Sequence, residues 1–189
     1  MGVKTFSKDF LFYASLGHKS EAVDPKGYAN LVGFRNNTSI LNIEKTRESL
    51  FLTSMFVKSI FSKKKGKVSV LFLNLSEESN VVTKACAFKS VQPFFVKNWF
   101  SGALTNVLLK DKVDVIFLLS SKDNNFILQE AQKLNIPVIA LVDSDTSSNM
   151  VTFPIWTNDN SLELQHFVTK FISDTIIETQ LMTYGLGCV

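Results

Sequence analysis

Two aspartates follow the most apolar segment of the chain and are its best candidates for chemistry. Asp143 and Asp145 come directly after residues 137–142, an almost purely apolar run that predicts a buried parallel strand. Two carboxylates at the end of such a strand could hold a metal ion or act as acid and base. Solvated aspartates in loops are also common turn formers that hydrogen-bond their own backbone, and we favour this interpretation for Asp143 and Asp145.

Other residues suited to catalysis or metal binding are few. The chain has two histidines, His18 and His166, and two widely separated cysteines, Cys86 and Cys188. That cysteine spacing favours neither a zinc cluster nor a disulfide framework. The glycine patterns of dinucleotide-binding and phosphate-binding loops are absent, and so is the G-x-S-x-G pattern of a nucleophile elbow. We therefore predict no enzyme, no catalytic residue, no metal site, no cofactor and no small-molecule substrate.

Short apolar segments alternate with amphipathic segments along the chain, which is typical of an α/β fold. Helices are expected over residues 44–62, after Ser76, after Asn124 and after Asn160, the last with a capping box formed with Glu163. Strands are expected over residues 38–43, 68–73, 94–96, 114–119 and 137–142, with residues 153–156 as a short edge segment. The pattern predicts a flavodoxin-like, doubly wound three-layer sandwich around a five-stranded, mostly parallel sheet.

These predicted elements divide the chain into three parts. Residues 1–37 form an N-terminal extension and loop segment, residues 38–178 the α/β domain, and residues 179–189 a C-terminal tail.

The first predicted helix ends in a lysine run that suits a helix C-terminus, followed by Gly66 as its cap. The second is expected to bury a face made of Val81, Val82, Ala85 and Phe88.

The composition indicates a folded domain with a mild positive charge. Apolar residues make up 46% of the 189 positions and charged residues 20%, which excludes a disordered chain, and the net charge is +3. Apolar runs such as residues 113–119 are too short to span a bilayer, so no membrane partner is expected. Of the 20 basic residues all but Arg35 and Arg47 are Lys, and Phe is abundant, a bias typical of AT-rich coding sequences in organelles or low-GC microbes.

A series of motifs carries a family resemblance. In order, they are Gly17-His18, Asp24-Pro25-Lys26, Gly33-Phe34-Arg35-Asn36, residues 41–46, Trp99, Gly102, Leu104-Thr105-Asn106, residues 136–138, Val142-Asp143 and Asn158-Asp159. Over about residues 14 to 177 they resemble, in the same order, the small-subunit ribosomal protein 2 family of bacteria and organelles. The chain departs from the family at two motifs. Residues 99–102 read W-F-S-G where the family has W-L-G-G, and residues 156–160 read W-T-N-D-N where the family has P-G-N-D-D. Bacterial members also insert a long helical hairpin where this chain has only residues 107–113, so the protruding coiled-coil arm is missing.

The resemblance implies a structural constituent of the small ribosomal subunit, with small-subunit ribosomal RNA and neighbouring ribosomal proteins as partners. Loss of the arm, the Lys-rich bias and the divergent motifs suggest a mitochondrial member. Residues 1–13 lack the features of a transit peptide, so we expect an organelle-encoded protein in the matrix, with a plastid home disfavoured.

Candidate RNA-binding residues are cations, amides and one aromatic ring, because phosphate contacts dominate such binding and rings can stack on bases. They are Lys19, Lys26, Arg35, Asn36, Lys63, Lys64, Lys65, Lys67, Lys97, Asn98, Trp99, Lys110 and Lys112. For the run from Lys63 to Lys67, a solvated helix end is an equal alternative. Trp99 could equally anchor its loop in the core.

Two other functions stay open at this point. One is a doubly wound ligand-binding domain or enzyme that uses Asp143 and Asp145 at the carboxyl ends of the strands. The other is a protein-interaction scaffold that has lost RNA binding. Salt separates the latter from an RNA-binding protein, since RNA affinity falls steeply with ionic strength and an apolar interface barely responds.

Overall fold

The computed structural model describes residues 8–74, 79–96, 99, 102–105, 113–122 and 124–184. Helix α1 (Lys8–Ser15) leads into a small antiparallel sheet of three strands, β1 (Leu16–Lys19), β2 (Leu31–Arg35) and β3 (Thr38–Leu41), with β3 in the middle. We call these three strands the N-terminal sheet.

The strand predicted over residues 38–43 therefore exists as β3, but its placement in the main sheet is wrong. The reason is the turn before it, where Asn36 and Asn37 both adopt positive φ angles of 47° and 62°. Two positive φ angles make the tight hairpin turn whose twist matches the paired strands. The chain thus folds back onto β2, so that Arg35 pairs with Thr38.

Helix α2 (Ile43–Lys63) then leads into the main sheet, whose strands are all parallel. They are β4 (Val70–Asn74), β5 (Phe94–Val96), β6 (Val115–Leu118), β7 (Val138–Val142) and β8 (Phe153–Trp156), in the order β5-β4-β6-β7-β8. The connecting and closing helices are α3 (Asn80–Lys89), α4 (Asn125–Lys133) and α5 (Leu162–Thr183). Counted within this sheet the order is 2-1-3-4-5, which confirms the flavodoxin-like prediction. The expected edge segment, residues 153–156, is the fifth strand.

The main sheet is buried on both faces, as a parallel sheet requires. Successive side chains of a strand point to opposite faces, so Phe72 belongs to one core cluster and Leu71 to the other. Helices α2, α3 and α5 cover the first face, where Phe72 meets Phe117 edge-to-face at 5.3 Å between ring centroids. Helix α4 and the turn at residues 102–105 cover the second face.

The predicted inner face of α3 is wrong. Val81 is 76% exposed and Phe88 is 83% exposed, whereas Thr83 and Ala87 are buried. The cause is polar, because the buried Asn74 at the end of β4 donates a hydrogen bond of 3.2 Å to Thr83 Oγ1. With 100° between successive helical residues, turning Thr83 inward turns Val81 and Phe88 outward. The predicted start of this helix at Ser76 lies outside the described residues.

Helix α5 also differs from the prediction at both ends. It begins at Leu162 with Ser161 as the N-cap residue, and the capping box between Asn160 and Glu163 does not form. Its last turns run to Thr183, and the buried Thr179 packs within them. Residues 179–183, expected as tail, are therefore helical.

Glu130 of α4 fixes the turn at residues 102–105. Its carboxylate is buried and accepts a hydrogen bond of 2.6 Å from the Gly102 amide and one of 3.2 Å from the Leu104 amide. Leu104 is fully buried against α4 and the sheet. A motif singled out in the sequence is thus held in place by two charge-assisted hydrogen bonds.

We predict that Glu130→Ala frees this turn. The substitution leaves the Gly102 and Leu104 amides without an acceptor, which costs about 1–3 kcal/mol for each buried group that water does not reach. Amide hydrogen exchange measures the effect directly, and both amides should exchange faster than in the wild type. Gln129→Ala is the matched control, because Gln129 is exposed on the same helix. Unchanged exchange at both amides in Glu130→Ala would contradict the assignment.

Candidate functional site

The N-terminal sheet docks on the carboxyl end of β7 through Ser144. The His18 amide donates a hydrogen bond of 2.8 Å to Ser144 Oγ, and Ser39 Oγ donates one of 2.8 Å to the His18 carbonyl oxygen. The hydroxyl oxygens of Ser39 and Ser144 lie 3.0 Å apart, which closes a ring of three polar groups. The Ser144 carbonyl oxygen accepts a further bond of 2.9 Å from the Asp24 amide. We call these contacts the Ser144 junction.

Gly17 makes the junction sterically possible. A Cβ atom at this position would lie 2.4 Å from Ser39 Oγ and 2.7 Å from Ser144 Oγ, closer than any real Cβ contact. Glycine therefore lets β1 approach β3 and the end of β7 without displacing the hydroxyl groups of Ser39 and Ser144. The Gly17-His18 motif is therefore explained by packing and polar contact at one point.

An acidic cluster surrounds the junction. His18 Nδ1 lies 3.3 Å from Asp143 Oδ2 and 3.5 Å from Asp145 Oδ1, between the two carboxylates. Lys122 Nζ lies 2.6 Å from Asp145 Oδ2. The Asp159 amide lies 3.4 Å from Asp143 Oδ2, and Asp159 Oδ2 accepts a hydrogen bond of 2.6 Å from the Ser120 hydroxyl. These contacts connect β1 with the segments that follow β6, β7 and β8.

The His18 side chain lies between the acidic cluster and the segment after β8. Its Nε2 lies 2.9 Å from Asn160 Nδ2, and its Nδ1 faces the carboxylates of Asp143 and Asp145. His18 is therefore the side chain that connects the N-terminal sheet with the carboxyl edge of the main sheet.

The carboxyl groups of Asp143, Asp145 and Asp159 differ in the direction of their pKa shifts. Burial raises the pKa of Asp143, and hydrogen bonds from Ser144 and the charge of His18 only partly offset it. Burial likewise raises the pKa of Asp159, and the nearby Asp143 and Asp145 add to the effect. For Asp145, hydrogen bonds from Lys122 and Thr146 outweigh burial and lower the pKa. Asp145 is thus stabilised as a carboxylate, while ionisation of the other two costs free energy.

The interpretation of Asp143 and Asp145 as solvated loop residues is wrong. Asp143 is completely buried, and the Asp145 side chain is nearly so. The physical reason is that the N-terminal sheet covers them. Within the described ranges, no group of three or more His, Cys, Asp or Glu side chains is arranged to hold a metal ion. Nor is any helix of the described part long and apolar enough to cross a membrane.

The roles of Ser39 and Ser144 could not be predicted from the sequence, because a serine in a buried junction has the same sequence pattern as a serine in a surface loop. The motifs did mark Gly17-His18 and Asn158-Asp159, and these meet at the junction through His18, Asp159 and Asn160.

The structure brings three of the predicted RNA-binding residues together. Lys19 and Arg35 both pair in register with Thr38, one from each side of β3, and Asn36 follows Arg35 in the hairpin turn. All three are exposed. In the described part of the chain, neither Lys19 nor Arg35 forms an ion pair. We call Lys19, Arg35 and Asn36 the hairpin group.

A second group of predicted residues lies between the end of α2 and the start of β4, at the amino-terminal edge of the main sheet. Helix α2 ends at Lys63, and Lys65 takes a positive φ of 50° at the position before Gly66, which the prediction made the cap. The Gly66 amide then donates a bond of 2.8 Å to the Phe61 carbonyl oxygen, which closes the helix end. The four predicted residues here, Lys63, Lys64, Lys65 and Lys67, form the helix-end group.

The remaining candidates divide into described and undescribed residues. Lys26 stands apart from both groups, with its Nζ 3.4 Å from Asn149 Oδ1. Trp99 is half-buried, packs on the second core cluster and meets Phe95 edge-to-face at 5.2 Å, which favours the anchoring role. Four candidates lie outside the described residues: Lys97, Asn98, Lys110 and Lys112.

The acidic cluster predicts a pH effect of defined sign. Asp159 has a raised pKa in the folded state, so that state binds more protons than the unfolded state above the ordinary value of 3.8. Its contribution to the free energy of unfolding therefore falls as the pH rises. Asp159→Asn removes this loss, so the free energy of unfolding of the variant, relative to the wild type, should increase as the pH rises above about 4. Urea unfolding at a series of pH values measures the difference.

Glu163→Gln is the control for this experiment, because Glu163 is an exposed acidic residue of α5 near the cluster in sequence. It should leave the pH profile of the wild type unchanged. Parallel profiles for Asp159→Asn and the wild type would mean that the Asp159 carboxyl is not desolvated as described.

Comparison with known proteins connects this arrangement to a family. The family described as Ribosomal protein S2 matches residues 13–110 and 108–179, which together cover most of the chain. The small ribosomal subunit protein uS2m of Marchantia polymorpha is 26% identical over 211 aligned residues, covering 87% of each chain. The small ribosomal subunit protein uS2 of Borrelia duttonii (strain Ly) is 25% identical, covering 86% of this chain and 82% of the relative.

These matches include the N-terminal sheet, the Ser144 junction and the whole main sheet. They confirm the resemblance drawn from the ordered motifs and decide against the enzyme alternative. The chain belongs to the Ribosomal protein S2 family, whose members are structural components and not enzymes.

Proposed function

We propose that the chain is a structural, RNA-binding constituent of the mitochondrial small ribosomal subunit, held there by small-subunit ribosomal RNA and neighbouring ribosomal proteins. The observation that carries the proposal is the family match over residues 13–110 and 108–179. Relatives from a plant and from bacteria are named as small ribosomal subunit proteins. Such a component carries out no reaction. This suits a chain in which Asp143 and Asp145, at the carboxyl ends of the strands, contact His18 and Lys122 of the same chain.

Three features support a mitochondrial home and an organelle gene. The relative from Marchantia polymorpha carries the name uS2m, whose suffix denotes the mitochondrial protein. The Lys-rich, Phe-rich composition suits an AT-rich organelle genome. The two segments matched by the family meet at residues 108–110, at the place where the sequence lacks the coiled-coil arm. Residues 106–112 themselves lie outside the described residues.

The hairpin group is the part of the surface best suited to a phosphate backbone. Lys19 and Arg35 stand on both sides of β3 and have no ion-pair partner among the described residues. Ser20 supports the turn through its amide, which donates a bond of 2.9 Å to the Asn37 carbonyl oxygen, and its hydroxyl donates to Asn37 Oδ1. A rigid hairpin therefore presents two cations and the Asn36 amide with little ordering cost on binding.

Sedimentation tests the proposed assembly. In lysates of purified mitochondria, the protein should move with the whole ribosome at high magnesium and with the small subunit at low magnesium. Recovery at the top of the gradient in both conditions would reject ribosomal assembly. Absence from the mitochondrial lysate, with recovery on small subunits in a lysate of another compartment, would reject the mitochondrial location alone.

The hairpin group also predicts a salt effect. Lys19→Gln with Arg35→Gln should weaken binding to small-subunit ribosomal RNA and reduce the slope of log affinity against log salt by about 2, roughly one for each phosphate that is no longer neutralised. Filter binding at several salt concentrations measures the slope. Lys133→Gln with Lys170→Gln removes the same charge from exposed positions on α4 and α5. If both double variants change the slope equally, binding depends on net charge and the hairpin group has no special role.

A further inference from the structure

A cavity of about 670 Å³ opens at the amino-terminal edge of the main sheet. It lies between the end of α2, the segment after α3, the entrance to β6 and the last turns of α5. Its volume is within the range of about 300–1,000 Å³ that is usual for small-ligand sites. Neither the Ser144 junction nor the hairpin group reaches it, because both lie toward the carboxyl edge. We call it the amino-edge pocket.

Positive charge lies at one side of this pocket. Lys67 lines it, and Lys65 precedes the lining residue Gly66. In the described part of the chain Lys63, Lys65 and Lys67 are exposed and form no ion pair, whereas Lys64 is neutralised by Asp114. Asp114, the carboxylate that lines the pocket, is thus already paired, and Lys65 and Lys67 are left at the pocket for an anionic ligand.

An aromatic ring forms one wall of the pocket. Atoms of the Tyr184 ring lie 3.2–3.4 Å from where a Cβ of Gly66 would be, so the ring lies against the backbone of the lysine run. Gly66 has a positive φ of 77°, so any side chain here would be strained as well as crowded. Tyr184 is nevertheless 61% exposed, which leaves most of the ring open to a ligand.

The remaining lining combines apolar surface with side-chain amides. Val68, Ile177 and Leu181 supply the apolar part. Gln92 and Gln180 supply the amides. The Val70 amide donates a bond of 2.7 Å to Gln92 Oε1, and the side-chain nitrogens of Gln92 and Gln180 both donate to the Ser90 carbonyl oxygen, at 3.3 Å and 3.5 Å. A flat ring placed here would meet an aromatic face and apolar walls, beside amides that the fold holds in place.

We propose that the amino-edge pocket binds one unstacked nucleotide of a single-stranded RNA segment, and this proposal rests on the RNA-binding function proposed above. The base packs against Tyr184, and the flanking phosphates contact Lys65 and Lys67. Sequence-tolerant recognition of single strands combines a cationic track with aromatic stacking in this way. Paired RNA does not fit the same site, because its bases are stacked inside the helix and cannot reach Tyr184.

The test compares a short single-stranded RNA with a duplex of the same length, each titrated with the purified full chain. Tyr184→Leu keeps an apolar side chain against Gly66 but removes the ring. It should weaken single-strand binding by about tenfold, the scale of one stacked base, and leave duplex binding unchanged. Tyr184→Phe retains the ring and should bind like the wild type. Lys65→Gln with Lys67→Gln should weaken single-strand binding and reduce its salt slope, and Lys133→Gln with Lys170→Gln is the charge-matched control.

The outcomes separate this proposal from the preceding one. Equal binding of the single strand by Tyr184→Leu and the wild type, or an equal weakening for single strand and duplex, would overturn the pocket while leaving ribosomal assembly intact. Failure of the protein to sediment with small subunits would instead overturn the proposed function, whatever the oligonucleotide result. A folding defect is excluded by the urea midpoint of each variant, since Tyr184 is too exposed to be needed for the core.

Discussion

The close approach of the backbone at Ser144 determines how the two sheets of the molecule are related. Gly17 leaves room for the Ser39 and Ser144 hydroxyl groups, and these in turn satisfy the backbone of His18. A side chain at position 17 would displace these hydroxyl groups or β1 itself, and either shift would disturb the bonds that hold His18 beside the carboxylates of Asp143 and Asp145. The hairpin that carries Lys19 and Arg35 is attached through this contact region, so its placement depends on it.

The same junction covers the edge of the main sheet at which a ligand would be expected. In doubly wound proteins, ligands usually bind beyond the carboxyl ends of the strands. Here the chain places its own N-terminal sheet over the end of β7, and burial raises the pKa values of Asp143 and Asp159 at this edge. Cations without ion-pair partners among the described residues remain exposed on the outer hairpin and at the amino edge, and these are the two surfaces for which we propose RNA binding.

Sequence patterns predicted the parts of the fold that depend on apolar burial. The strands of the main sheet are continuous apolar runs, and the buried face of α4, with Ile127 and Leu128, shows a clear helical period. The errors occur where polar contacts decide. The hydrogen bonds of Asn74 turn α3 against its apolar pattern, and two asparagines with positive φ send β3 to a separate sheet. A pattern of hydrophobicity contains neither piece of information.

The candidate site shows the same division. Basic residues could be named from the sequence, but which of them lie near one another depends on the strand pairing. Lys19 and Arg35 form one group because both pair with Thr38, one on each side of β3. A run of lysines looks uniform in the sequence, yet the fold neutralises Lys64 with Asp114 and leaves its neighbours exposed. An ion pair at the surface contributes little to stability, so its main consequence here is to remove one cation from the surface that an anionic partner meets. Charge counted along the chain therefore overstates the charge that a ligand encounters, and the position of each acidic partner decides which basic residues are left to bind.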